Sequence, residues 1–105
     1  MITVSVIYPT KEGSTFDMNY YLATHIPMVK DRLRPTLRGV TVDQGVANGV
    51  PGAPLPFAVM CHLRFDSVEA FQAAFAAHGA ELQGDIPNYT NIAPIIQISE
   101  VKMHE

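Results

Sequence analysis

Tyr21 and His25 stand four residues apart, and Pro27 follows two residues later. Residues four apart are neighbours on a helix, so the spacing predicts a phenol beside an imidazole. Imidazoles in general gain and lose a proton near neutral pH, which suits acid–base chemistry on a small organic substrate. Pro27 sharpens the reading. An interior proline removes one backbone hydrogen bond and clashes with the carbonyl four residues back, here Ala23, at a cost of ~3 kcal/mol. A proline inside a helical pattern therefore predicts a fixed kink that aims His25 at a cleft. The competing account makes His25 a helix-end histidine bonded to a carbonyl that Pro27 frees.

A second polar stretch is Gly84-Asp85-Ile86-Pro87-Asn88-Tyr89-Thr90-Asn91. Asp, Pro and Asn favour tight turns and side-chain-to-backbone bonds. The stretch offers a carboxylate, an amide and a phenol on one short loop. It is either the entry to a last strand or a partial lid that brings Asp85 and Tyr89 to a ligand. His78 falls on the apolar side of a predicted second helix, in line with Phe71 and Phe75. It is read as a neutral helix-end histidine or as a further lining residue of the same cleft. Together, His25 is the candidate catalytic group, and Tyr21, His78, Asp85 and Tyr89 are the candidate substrate-binding residues.

Other chemistries find less support. The histidines at 25, 62, 78 and 104 show no metal-ligand spacing, and Cys61 and His62 are adjacent, hence on opposite faces of a strand. No metal and no cofactor are expected. No glycine-rich phosphate loop or nucleophile elbow is present. The net charge of −3, without a basic run, argues against nucleic acid. No apolar stretch is long enough to cross a membrane, and Met1–Ile7 reads as a strand rather than a signal peptide. The single cysteine leaves an internal disulfide impossible, so a cytoplasmic, reducing compartment is expected. Cys61 is read as a small buried hydrophobe.

The elements that must position these residues follow from periodicity. A chain of 105 residues is expected to form one domain, 1–105. Residues 2–8 alternate as a strand, 17–34 form the proline-containing helix, and 39–46 alternate again. The Gly/Pro-rich stretch 48–54 is a loop, and 57–65 is a third strand with Phe57, Val59, Cys61, Leu63 and Phe65 on its core face. Asp66-Ser67-Val68-Glu69 resembles a capping box. It opens a second helix that Gly79 is expected to close. Residues 95–103 give a fourth strand. In the first helix, Met18, Leu22, Ile26, Val29 and Leu33 share the predicted core stripe, and Tyr20, Thr24, Asp31 and Arg34 are expected in solvent. Tyr21, His25, Met28 and Arg32 form a row beside the core.

The order β-α-β-β-α-β is the α+β, ferredoxin-like arrangement, an antiparallel four-stranded sheet with both helices on one face. The opposite face is expected to carry Ile7, Met60, Ile96 and Ile98 among Thr3, Ser5, His62 and Arg64. That mixture predicts a homodimer through sheet faces, with His62 at the interface or its rim. RNA-binding domains of the same order would need stacking aromatics and a basic loop on the third strand, which Ala58, Met60, His62 and Arg64 do not supply.

The chain resembles the EthD family, named for ethyl tert-butyl ether degradation, of the dimeric α+β barrel superfamily. The likeness rests on Tyr8-Pro9, on Phe16-Asp17-x-x-Tyr20-Tyr21-x-x-x-His25-x-Pro27, on Asp85-x-Pro87-Asn88-Tyr89-Thr90, and on Gln97 and Glu100-Val101 in the closing strand. The resemblance implies a ferredoxin-like protomer, a dimer with facing sheets, and a cleft between sheet and helices. It implies a small hydrophobic ligand, often aromatic or lactone-like, and no settled reaction, because fold alone does not carry function. A cofactor-free oxidoreductase, isomerase or cyclase with His25 as acid or base is one reading. A non-catalytic binding or accessory protein for a partner oxidoreductase is the other. Haem ligation through a histidine occurs among more distant barrels.

Overall fold

The computed structural model describes residues 1–105. Four strands, β1 (Ile2–Pro9), β2 (Gly39–Gln44), β3 (Phe57–Phe65) and β4 (Ile95–Glu100), form one antiparallel sheet in the order β2-β3-β1-β4. This is the ferredoxin-like arrangement, with two helices on one face. Val4, Leu63 and Ile98 pair across three strands, as do Val6, Cys61 and Ile96. These side chains therefore share the helix-facing side. The core beneath the helices is built from Ile2, Val4, Tyr8, Val59, Cys61, Leu63 and Phe65.

The first helix runs as three consecutive segments, Met18–Tyr20 (α), Tyr21–His25 (π) and Ile26–Leu33 (α). It starts where expected, with the Asp17 carboxylate accepting the Tyr20 N–H at 3.0 Å. The irregularity at Pro27 takes the form of a π turn: the Ile26 N–H reaches the Tyr21 carbonyl, five residues back. Single π turns of this kind insert one residue into a helix. The insertion changes the phase of everything before it. Ile26, Val29 and Leu33 face the core as predicted, but Tyr21 now stands a full turn before Ile26 and takes the place expected for Leu22. Tyr21 is 1% exposed and Leu22 51% exposed. The predicted core stripe is thus wrong at Leu22, and His25 is drawn inward with Tyr21.

The second helix spans Val68–Gly84, capped by Ser67, whose Oγ accepts the Ala70 N–H at 3.1 Å. It does not end at Gly79. That glycine is buried inside the helix, where a Cβ would come within 2.8 Å of the Phe75 ring. Its role is to let Phe75 lie flat against the helix rather than to terminate it.

The distribution of isoleucines on β4 also differs from expectation. Ile96 and Ile98 lie on the helix side, opposite Val6 and Val4, while Ile95 pairs with Ile7 on the outer side. A one-residue register difference exchanges faces, and Ile95-Ile96-Gln97-Ile98 is apolar on both. The outer face therefore carries Ile7, Met60 and Ile95 as one apolar row beside the polar row of Ser5, His62 and Gln97. β4 is an edge strand with Ile95, Ile96 and Ile98 all exposed. No helix is long and apolar enough to cross a membrane.

The π turn makes an unusual forecast for two adjacent residues. Tyr21→Ala should cost about 3–5 kcal/mol, whereas Leu22→Ala should stay within about 0.5 kcal/mol, measured by urea denaturation. An uninterrupted α-helix would give the larger loss at Leu22.

Candidate functional site

The loop after the second helix is tied to the segment before the first. The Asp17 N–H reaches the Tyr89 carbonyl at 2.7 Å. The Thr90 hydroxyl donates to the Thr15 carbonyl at 2.6 Å, and the Asn91 amide bonds both Thr15 N–H and the Gly13 carbonyl. A single bridge joins Phe16 and Thr90. These bonds carry Asp85, Asn88 and Tyr89 to the π turn, across about sixty residues of sequence.

His25 is 6% exposed, and a buried imidazole needs partners for its nitrogens. Nδ1 lies 2.8 Å from Asp85 Oδ2. Nε2 lies 3.5 Å from the Tyr89 hydroxyl, which in turn lies 2.7 Å from the Tyr8 hydroxyl. Asp85 Oδ1 accepts from the Tyr20 hydroxyl at 2.7 Å and from the Asn88 amide at 2.9 Å. The Tyr21 ring stacks on the imidazole, with centroids 5.4 Å apart and planes 15° apart, and the Tyr89 ring is tilted against it at 4.6 Å.

The electrostatics fix the proton positions. Burial pushes the Asp85 carboxyl upward, but the hydrogen bonds from Asn88, Tyr20 and His25 outweigh it, and the group is held below the usual carboxylate range. An ionised carboxylate only accepts, so Nδ1 of His25 carries a hydrogen toward Asp85. In the neutral imidazole Nε2 is then the acceptor, and the Tyr89 O–H donates to it. Burial raises the Tyr8, Tyr21 and Tyr89 phenols above their ordinary range, so all three stay neutral. The bond to Asp85 raises Tyr20 as well. Cys61, in the core beside them, is pushed up by burial to about 11 and is an unreactive thiol at neutral pH.

Beside this network lies a cavity of about 70 Å³ between the two helices and the sheet. His25, Tyr8 and Tyr89 supply its polar wall, and Val4, Val29, Leu63 and Phe71 are among its hydrocarbon lining. Gln83 and Ile96 are the lining residues most open to solvent, which places the mouth between the end of the second helix and β4. Of the residues singled out from sequence, His25 and Tyr89 line the cavity. Asp85 holds His25 from behind, with its side chain 13% exposed. Tyr21 packs behind the imidazole and does not reach the cavity. His78, half-buried, stays outside because Phe71, Phe75 and Leu82 occupy the inward face of its helix.

Tyr8 and Tyr20 were not among the candidates. A tyrosine on the core face of a strand is itself a signal, since a buried phenol needs a partner for its hydroxyl. Tyr20, expected in solvent, is half-buried by its bond to Asp85. No group of three or more His, Cys, Asp or Glu side chains that could hold a metal ion is present.

A family model of the EthD domain matches residues 13–93, a range that takes in the π turn and the Asp85–Tyr89 loop. The crystal structure of an EthD-like protein from Ralstonia eutropha has 50% sequence identity and a TM-score of 0.93, over 99% of this chain and 94% of that one. An EthD family protein from Bacillus halodurans has 23% identity and a TM-score of 0.65, over 96% and 98% of the two chains. A dimeric ferredoxin-like protein from an uncultured marine organism has 13% identity and a TM-score of 0.62, over 100% and 98%. These two likenesses carry the fold alone. No curated protein matches the chain.

The lowered Asp85 value ties stability to acid. Above the ordinary carboxylate pKa of about 4 the hydrogen bonds to the charged group contribute in full. That contribution is lost as pH falls through the lower folded-state value. In urea denaturation, the stability gap between wild type and Asp85→Asn should be constant above about pH 5 and shrink below about pH 4. A gap that widens on acidification would contradict the arrangement.

Proposed function

The chain belongs to the EthD family, and from that premise we propose that it takes up a small, largely apolar organic molecule and moves a proton on it, with His25 as acid or base. The observation that carries this reading is the buried His25–Asp85 pair at the wall of a cavity otherwise lined mostly by hydrocarbon. Asp85 sets the tautomer of the imidazole, so Nε2 is the working nitrogen. The apolar lining selects a hydrophobic substrate and strengthens charge interactions within the site. Abstraction of an acidic C–H or O–H proton is the step that isomerisation, cyclisation and cofactor-free oxidation share. Tyr89, on the same wall, is the second polar contact for the ligand.

We further infer that the protein works as a homodimer. The outer apolar row of Ile7, Met60 and Ile95, and the exposed edge of β4, are the support on this chain. The dimeric ferredoxin-like protein of similar fold supports it by analogy. A partner that covers β4 would also cover the cavity mouth at Ile96.

Native mass spectrometry of the purified protein is expected to reveal the retained molecule. His25→Gln keeps an N–H for Asp85 but cannot carry a proton between partners. It should retain that molecule while losing about 10²–10⁴-fold in turnover of it. Full turnover in this variant would sink the acid–base role. Retention without turnover in wild type would favour the binding-protein reading. Light scattering should give a mass near twice 11.5 kDa, and Met60→Asp should lower it toward a single chain if the sheet faces pair.

A further inference from the structure

Both nitrogens of His25 are already engaged, Nδ1 with Asp85 and Nε2 with the Tyr89 hydroxyl. A ligand in the cavity therefore finds no open nitrogen on the imidazole. The Tyr89 hydroxyl is also engaged on both sides, by His25 at 3.5 Å and Tyr8 at 2.7 Å. The chain of bonds continues to Tyr8, whose hydroxyl lies 2.7 Å from that of Tyr89 and, unlike Tyr21 behind it, belongs to a side chain that lines the cavity. We propose that Tyr89 and Tyr8 form a proton relay, and that the phenol oxygen of Tyr8 is the atom that takes a proton from the substrate on behalf of His25. The inference rests on the acid–base reading above and names the catalytic residue that reading leaves out.

The bonds balance along the chain. With His25 neutral, Tyr8 O–H donates to Tyr89 and Tyr89 O–H donates to Nε2. The substrate's acidic bond breaks and its electron pair stays on the substrate. Its proton forms a new O–H bond at Tyr8. The former Tyr8 proton passes to Tyr89, and the former Tyr89 proton passes to Nε2. Both phenols end neutral, as their buried setting requires. The single new positive charge rests on the imidazole, against the Asp85 carboxylate 2.8 Å away. The return step runs the chain backwards and delivers the proton to a different atom of the bound molecule. Two phenols thus separate the site of proton exchange from the group that stores the charge.

The relay can be tested with 4-nitrophenol, a small aromatic acid whose ionised form absorbs visible light. Wild type should take it up saturably and convert it to the phenolate at a pH where the free probe is mostly neutral. The ¹⁵N spectrum should show both ring nitrogens of His25 protonated in that complex. Tyr8→Phe keeps the ring and its packing. It should retain uptake yet lose about tenfold or more of the bound phenolate, with Tyr89→Phe behaving alike. Phenolate that survives in both variants would end the relay while leaving His25 as a directly acting base. A neutral His25 beside bound phenolate in wild type would end it even if neither variant folds. No saturable uptake, or no ionisation in wild type, would overturn the acid–base reading together with the relay.

Discussion

A histidine buried in a hydrocarbon core must have its ring nitrogens satisfied, and this requirement organises the site. One π turn draws His25 inward, and from that point the neighbouring elements answer it. Asp85 faces Nδ1, Tyr89 faces Nε2, and Tyr21 covers the ring face. Asp85 is itself a partly buried charge that needs partners, and Tyr20 and Asn88 supply them. No buried side-chain polar atom is left without a bond. A partly satisfied network of this kind would destabilise the core, whereas a complete one makes it rigid and specific.

Rigidity has a chemical consequence. The tautomer of His25 is fixed by an ionised carboxylate, and the carboxylate is fixed by groups from both the first helix and the loop. The loop in turn is latched to residues 13–17 by backbone and side-chain bonds. The imidazole is therefore held in one orientation against the cavity wall, which is what proton transfer demands of its acid–base group.

The cavity exists because the two helices do not cover the sheet evenly. The second helix turns Phe71 onto Phe65 of β3, and Gly79 lets the Phe75 ring lie close to the helix axis. β4 at the edge receives no such cover, so its helix-facing Ile96 and Ile98 remain exposed. An edge strand with apolar residues on both faces is a surface that a further chain can pair with or pack on.

Sequence alone determined the order of elements, the places where both helices start, the core face of β3, and the prominence of His25. Those features are written in local chemistry: period-two alternation, side-chain caps, and a proline where a helix does not want one. Family likeness rested on the same stretches. Tertiary structure decided the rest. Whether Pro27 would bring a kink or an extra residue could not be read from a helical wheel, because a wheel assumes the constant pitch that the π turn breaks. Leu22 and Tyr21 exchanged places for that reason. Gly79 looked like a helix end because glycine is a common helix terminator, whereas its use here depends on how the Phe75 ring, one turn earlier on the same helix, is turned across it by packing. The faces of Ile96 and Ile98 followed from pairing with β1, nearly a hundred residues away. The Asp85–His25–Tyr89–Tyr8 chain depends on contacts between three separate segments, β1, the first helix and the loop after the second, and only packing against one another brings those four side chains together.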